Sequence, residues 1–432
     1  MDVLVLGSGP TGLLAGAALA ERGHRVTSVD RDPGPAPDGS WPRRGVMQFA
    51  HAHGFRPQVA DVLARRWPGG LDAWRTAGAE PLTMPTPDGG EVTFGYRSRR
   101  STFERALRAA AACTPGLTLR RGRIDGLLTE HGVVTGAVVD GSPVRADLVI
   151  DASGRSSRID RSATAEIEGL CGMAYVDRTY QLRAGAEPPP LDNPLAGVRE
   201  YDGYQVLIFR HEAGHFSTLI VRPTADHDLK ILHQVAAYEA ACRAIPLLAE
   251  WTDPAMSLPT SPVMVGGALR NTYVPQRRLP GMVTVGDATA TTTPTRGRGI
   301  AMAYLQVDAL LELLDEGGDP RRLAEPLDDW CETHIRPWVE DHIAIDTEAV
   351  ARWQGADIDL DGPLTSHAIG LAAQVDPRID DIARPFYAMT ALPACLAAAE
   401  PLARAVYETG WRPPLPEGPS RDELVAITRR AA

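Results

Sequence analysis

The first thirty residues constrain the fold more than any other stretch of the chain. Val3–Leu6 is an unbroken apolar run, the pattern of a central parallel strand covered on both faces. It passes directly into Gly7-Ser-Gly9-Pro10-Thr11-Gly12, with Gly16 and Gly23 further on. In that pattern Gly7 permits a tight turn, Gly9 lets the backbone approach a pyrophosphate, and Gly12 lets a helix pack closely on the strand. The helix expected over Thr11–Arg22 aims its N-terminal N–H groups and positive dipole end at the phosphates. A second strand, Arg25–Val29, ends at Asp30, where a carboxylate accepts hydrogen bonds from a ribose 2′-OH and disfavours a 2′-phosphate. The alternative is a glycine-rich turn without a ligand. The strand before it, the helix after it and the acid ending the second strand argue against that.

This unit alone does not separate FAD from NAD. A second element does, about 280 residues further along. Met282-Val-Thr-Val-Gly286-Asp287-Ala288, followed by Pro294, Gly297 and Gly299, reads as a buried strand ending in an acid, then a loop, then a helix over Gly299–Leu314. The acid can bind a ribityl hydroxyl. A glycine-opened helix N-terminus can face the flavin N1/C2 carbonyl region, where reduction builds negative charge. NAD enzymes have no need of such an element, so FAD is the expected cofactor.

Two further segments carry a family likeness. One is Arg43-Arg44-Gly45-Val46; the other is Asp151-Ala-Ser153-Gly154-Arg155-Ser-Ser-Arg158. With the two elements above, in this order, the chain resembles the FAD-dependent monooxygenases of the p-hydroxybenzoate hydroxylase fold over roughly its first 320 residues. The resemblance implies an arginine, Arg43, on the pyrophosphate side of FAD. It implies another flavin contact from Arg100, on the helix Arg100-Ser-Thr-Phe-Glu104-Arg105-Ala-Leu107, and further FAD contacts from Arg31, Gln48, Ile124 and Ile300. The family moves one oxygen atom from O2 to its substrate through a flavin C4a-hydroperoxide, as hydroxylation or epoxidation. The stretch Arg-Gly-Val-Met-Gln48-Phe-Ala-His51-Ala-His53 is most similar to bacterial squalene-epoxidase-like tailoring enzymes of secondary metabolism.

The chain also departs from the family. Ser153 stands where the Asp-Gly motif has its acid, so electrons come either from NAD(P)H bound directly or from a separate flavin reductase. Arg296 and Arg298 stand where the family has smaller or uncharged residues, and a cation there opposes the helix dipole by up to about 1 kcal/mol. Such an arginine faces an anionic substrate or the reduced flavin, or else points into solvent. The halogenase branch needs a lysine near the flavin and a Trp-x-Trp-x-x-Ile-Pro signature. Lys230 is the single lysine and no tryptophan pair has that spacing, which argues against halogenation.

The expected fold is α/β, α+β overall. A Rossmann-like FAD-binding domain (1–74, 98–164, 273–325) carries an inserted β-meander, a second, mainly β substrate domain spans 75–97 and 165–272, and 326–432 form a helical C-terminal region. Tyr204–His211 and His215–Arg222 read as an antiparallel hairpin, with a helix following over Ile231–Trp251. Tyr180, Tyr204, Phe209 and Phe216 are candidate walls of the substrate pocket or ordinary sheet packing. His51 and His53, two apart, would share a face on a strand. No third ligand stands near them, so no metal is expected, and a role beside the flavin ring is the alternative to a structural one. Arg296, His51 and His53 are the weak candidates for catalysis.

Net charge −11 and the lack of a basic run exclude nucleic acid as a natural partner. Five scattered cysteines form neither a disulfide pattern nor a zinc motif and suit a reducing cytoplasm. No apolar run reaches the ~18 residues of a membrane span, and the opening core strand leaves no room for a signal peptide. The expected function is a cytoplasmic FAD monooxygenase acting with O2 on a small, largely hydrophobic metabolite. The alternatives are a C=C reductase or dehydrogenase, and a non-redox cyclase or isomerase with structural FAD.

Overall fold

The apolar run at the N-terminus forms the middle of a five-stranded parallel sheet. Strand β1 (Asp2–Leu6) lies between β2 (Arg25–Asp30) and β9 (Leu148–Asp151); β5 (Leu117–Arg121) and β18 (Met282–Thr284) form the two edges. The computed structural model describes residues 1–43, 45–85, 89–155, 157, 159, 164–191, 196–276 and 279–432; Arg44, Ser156 and Arg158 of the motifs above lie outside the described residues. Alternation along β1 decides what covers each face. Val3 and Val5 pack against helix α1 (Pro10–Glu21), while Leu4 and Leu6 pack against an antiparallel meander of β6 (Ile124–Glu130), β7 (Val133–Val139) and β8 (Ser142–Arg145). The helix starts one residue earlier than expected because Pro10 is pre-set for the first helical position.

The larger antiparallel sheet has six strands. Its order is β12 (Ala196–Tyr201), β13 (Tyr204–Arg210), β14 (His215–Pro223), β11 (Met173–Leu182) and β15 (Ser257–Pro259), with β16 (Met264–Gly267) also pairing β11. The hairpin read from the sequence is β13–β14. The helix expected over Ile231–Trp251 is instead a 3-10 turn, Leu229–His233, then α5 (Val235–Ala244) and α6 (Pro246–Thr252). Pro246 forces Ile245 out of the helical region, to ψ 113°. Strands β3 (Glu80–Pro85) and β4 (Glu91–Arg97) form a two-stranded sheet, with Phe55 bridging to Tyr96 of β4, and β10 (Ile167–Leu170), β17 (Arg270–Tyr273) and β19 (Ala290–Thr291) form a small connecting sheet.

Helices α2 (Pro57–Arg66), α3 (Pro68–Thr76), α4 (Arg100–Ala112) and α7 (Gly299–Asp315) extend the core around α1. So do α8 (Ala324–His334), α9 (Arg336–Trp353), α10 (Ser366–Ala372), α11 (Pro377–Tyr387) and α12 (Glu400–Glu408). The C-terminal stretch is not one layer, however. Helix α13 (Arg421–Ala431) leaves this core and buries Leu424 and Val425 against the six-stranded sheet beside α5. Among the described residues no helix is long and apolar enough to cross a membrane.

Candidate active site

One cavity lies between the carboxyl ends of β1, β2 and β9 and the inner face of the six-stranded sheet, the place where parallel α/β sheets bind ligands. Gly7, Gly9, Pro10, Thr11, Asp30, Arg31, Arg43 and Gln48 line it from the first part of the chain; Arg100, Asp287, Pro294, Gly297, Gly299 and Ile300 line it from later parts. Helices α1 and α7 both begin on its wall, so two positive dipole ends share one space. Gly7 has φ +109°, and an added Cβ would stand 2.4 Å from the Ala152 carbonyl oxygen. Gly12 does not touch the cavity. It lets α1 approach β1, since a Cβ there would stand 2.0 Å from the Gly7 oxygen. Gly286 also sits behind the wall, its N–H donating to Gln306 Oε1 at 2.9 Å. Ile124 is not on the wall at all: it packs on the meander side of the sheet with the cluster around Leu4 and Leu6. A residue that opens a covering strand points into that layer.

At the β2 end, Asp30 accepts the N–H groups of Ser8 at 2.8 Å and Asp32 at 2.9 Å. Arg43 is buried and bound to Glu104 at 2.9 Å, with Asp32 at 3.4 Å and Asp30 at 3.9 Å. Burial works against its charge, but these carboxylates outweigh burial and hold the guanidinium above its ordinary pKa. Glu104 also accepts from Arg100 at 2.7 Å. This 1% exposed carboxylate thus fixes two wall arginines together, a role the i,i+4 spacing of Arg100 and Glu104 could have signalled.

At the β18 end, Asp287 opens onto the cavity yet stands deep among protein atoms. That burial raises its carboxyl, while Arg100 and Arg155 act to lower it. Asp151 at the end of β9 is buried, and burial raises it too. It accepts from the Ser153 amide at 2.9 Å, the Ser153 hydroxyl at 2.6 Å and the Ser157 hydroxyl at 2.7 Å. Ser153 therefore spends its hydroxyl on Asp151.

The sheet wall holds groups that the sequence reading did not join. His51 and His53 are not on a strand; they follow a 3-10 turn, Met47–Phe49, and both line the cavity. His51 Nδ1 lies 2.6 Å from Asp177 Oδ1, and Asp177 Oδ2 accepts the Ala52 amide at 3.0 Å. Asp177 is fully buried on β11. Beside this pair, Tyr175 accepts from Gln48 Nε2 at 2.6 Å and meets the His51 ring edge-on at 5.3 Å. Burial drives His53 well below the usual histidine pKa, assisted by Arg100 and His211.

Of the four aromatic wall candidates only Phe209 lines the cavity. Tyr180, Tyr204 and Phe216 occupy the opposite face and are buried against α5, α6 and α13. Side chains on a strand alternate, so each is one position out of phase with the true wall of Tyr175, Leu207, Leu219 and Val221. Arg298 reaches neither solvent nor the cavity: it is 3% exposed, pairs with Asp341 at 2.7 Å and lies over Trp338 and Phe386. Arg296 is partly exposed and stands off the wall, although its neighbours Thr295 and Gly297 are on it. Lys230 is exposed and is not on the wall. Among the described residues no group of three or more histidine, cysteine, aspartate or glutamate side chains could hold a metal.

Comparisons with known proteins agree with this geometry. Residues 1–51 match the family model described as FAD binding domain, and residues 71–190 match the model described as tryptophan halogenase. The 3-demethoxyubiquinol 3-hydroxylase of Escherichia coli (strain K12) is 23% identical over 346 residues, 72% of this chain and 79% of that protein. The kynurenine 3-monooxygenase of Salinispora arenicola (strain CNS-205) is 25% identical over 340 residues, 72% of each. The solved structure of the flavin-dependent brominase Bmp2 superposes with a TM-score of 0.64 at 15% identity, covering 95% of this chain and 99% of that one; at that identity the likeness is one of fold.

Proposed function

From a chain that belongs to the FAD-dependent monooxygenases of the p-hydroxybenzoate hydroxylase fold, we propose that the cavity holds FAD along the carboxyl edge of the parallel sheet and a small, largely apolar metabolite against the inner face of the six-stranded sheet. The residues fit the cofactor. Asp30 ends β2 and Asp287 follows β18, strands three intervals apart in the sheet order, about 14 Å. Gly7, Gly9, Thr11, Arg43 and the start of α1 would hold the ADP part; Asp287 and the start of α7 at Gly299 and Ile300 would hold the flavin part. Bound there, FAD supplies the activation of O2 and the delivery of one oxygen atom, as hydroxylation or epoxidation.

The observation that carries the reading is the His51–Asp177 pair on the wall opposite the two helix N-termini. Asp177 engages Nδ1 of His51 and so leaves Nε2 as the nitrogen that can take or give a proton to a ligand in the cavity. Tyr175 and Gln48 orient a substrate hydroxyl or carbonyl beside it, and Phe209, Leu207, Leu219 and Val221 exclude water. Electrons come from NAD(P)H or from a separate flavin reductase; the hydroxyl of Ser153, tied to Asp151, favours the reductase. The stretch from Gln48 to His53 supports a squalene-epoxidase-like tailoring enzyme, and the scattered free cysteines support a cytoplasmic one. Among the described residues no lysine lines the cavity, which weighs against halogenation despite the halogenase-like fold.

Oxygen uptake by the chemically reduced protein tests the reading. Consumption that depends on a candidate substrate and yields a product with one added oxygen supports it. Turnover under strict anaerobiosis with oxidised flavin would overturn it in favour of the cyclase or isomerase, and a saturated C=C product in favour of the reductase.

A further inference from the structure

Thr291–Thr295, Gly297 and Gly299 form one side of the cavity, and this loop is tied down at both ends. The Thr291 hydroxyl donates to the Asp287 carbonyl oxygen at 3.1 Å, and the Arg296 carbonyl oxygen accepts from Arg56 at 2.8 Å. Its middle is held from behind. Asn271, on β17, accepts the Thr293 amide through Oδ1 at 2.6 Å and donates through Nδ2 to Oδ2 of Asp346, on α9, at 2.8 Å. Asn271 and Asp346 are 0% and 1% exposed, and neither lines the cavity.

A side-chain amide is read at both ends, because its oxygen only accepts and its nitrogen only donates. Asp346 gives Asn271 an acceptor and so turns Oδ1 toward the loop. With the amide reversed, Nδ2 would face the Thr293 N–H, and two buried donors would lose their partners. A carboxyl is an unfavourable choice for a purely structural tie in such surroundings. Asp346 Oδ1 is buried without a partner, and the residue makes no ion pair among the described residues. Arg296, from the loop, acts to lower its carboxyl, and Asp341, from its own helix, acts to raise it. Cys171, between β10 and β11, feels its charge in turn, and His342, one turn earlier on α9, is kept neutral by burial. Burial outweighs the other influences and raises Asp346 to about 7. A group perturbed in this way behind a cleft points to function more than to packing. What it holds is the stretch that leads into α7, whose N-terminus lies on the cavity wall.

We propose that Asn271 and Asp346 are positioning residues for the flavin end of the cavity: Asp346 fixes the sense of the Asn271 amide, and Asn271 sets the Thr292–Thr295 backbone against the ligand bound there. This rests on the FAD reading above and adds to it a pair that acts without touching the cofactor.

The test compares FAD-loaded wild type with Asp346→Asn, Asp346→Leu, Asn271→Leu and the double leucine variant. FAD affinity, melting temperature and the visible flavin spectrum are followed from pH 6 to 8. Asp346→Leu removes the acceptor at similar volume. It is expected to weaken FAD binding about tenfold, the scale of a hydrogen bond to a charged group, and to shift the flavin spectrum. Asn271→Leu reproduces that shift, and the double variant adds nothing to it, because the two residues act in series. Asp346→Asn keeps an acceptor and restores the wild-type affinity and the spectrum of pH 6, but without the drift that wild type shows toward pH 8 as Asp346 ionises. Should Asn271→Leu fail to fold, Thr293→Pro deletes the same bond from the loop side, at a φ of −55° that already suits proline. Lower melting with unchanged FAD affinity and spectrum overturns the proposal, since the tie is then merely structural. Additive effects in the double variant, or the same pH dependence in wild type and Asp346→Asn, also overturn it. These outcomes leave the flavoprotein reading standing, whereas a wild type unable to take up FAD overturns both.

Discussion

The two faces of the six-stranded sheet are made of similar residues and do different things. The outer face sets Tyr180, Tyr204, Val206, Ile208 and Phe216 against α5, α6 and α13 in a dry core. The inner face sets Tyr175, Asp177, Leu207, Phe209 and Leu219 toward the cavity. Tyr180 stacks on Phe216 at 5.4 Å, and Phe216 meets Trp251 edge-on at 5.0 Å. No comparable aromatic stack forms within the cavity wall of the sheet among the described residues; its polar groups pair with the loop around Gln48–Ala52 instead. A sheet covered on both sides loses the apolar–polar alternation that tells inside from outside, so one face holds the molecule together while the other is free to be specialised.

Substitutions separate these roles most sharply where the loss is largest. Phe216→Ala is expected to lower stability by about 3–5 kcal/mol, read by denaturant melts, while the folded fraction still retains FAD; loss of FAD at unchanged stability would break the division of labour. Asp177→Asn, on the other face, keeps the volume but not the charge facing His51. It should lower kcat about tenfold to a hundredfold with melting close to wild type, the scale of a hydrogen bond to a charged group. Phe209→Ala should raise KM by roughly tenfold with little change in stability, as expected when apolar contact with a ligand is lost; Tyr204→Ala should instead act on stability.

The smallest effect is a slope with pH at His211, at the turn joining β13 to β14. Burial lowers His211 to about 4, Glu212 acting to raise it and Arg99 and His215 to lower it. The unfolded chain protonates this histidine near its ordinary value of about 6.5 while the native one does not, so stability falls as pH drops through that window. Between pH 7 and 5.5 the loss is about 1 kcal/mol, and comparing melts of the wild type with His211→Gln isolates it.

These contrasts also explain what the sequence disclosed. The Gly7–Asp30 unit was legible because every group it needs lies within one strand–helix–strand segment, and a dipole or a tight turn is a local property. The element at Gly286–Gly299 was legible for the same reason. Asp177 was not: it sits 126 residues from His51, and in the sheet its register partners are the apolar Leu219 and Met264, which give no sign of a polar partner. Tyr180, Tyr204 and Phe216 were placed on the wrong face because aromatic residues occupy both faces and periodicity gives the phase of a strand but not its direction. Ile124 was assigned to the cofactor through family likeness, and only the packing of the meander shows where it points. The burial of Arg298 depends on Asp341, Trp338 and Phe386, all supplied by helices beyond the segment that the likeness covers.

Strand β18 has a consequence for synthesis on the ribosome. It is the last piece of the parallel sheet to emerge, and it covers β9 through pairs from Met282–Val149 to Thr284–Asp151. Until Thr284 has left the exit tunnel, that flank of Leu148–Asp151 presents unpaired amides and carbonyls, an invitation to intermolecular strand pairing. The nascent chain can close its glycine turn around a nucleotide early, but the half of the grip that contains Asp287 comes only after the whole antiparallel sheet has been made. Guarding that unfinished edge thus falls to chaperones, or to rapid docking of the intervening residues, before any flavin can be locked in place.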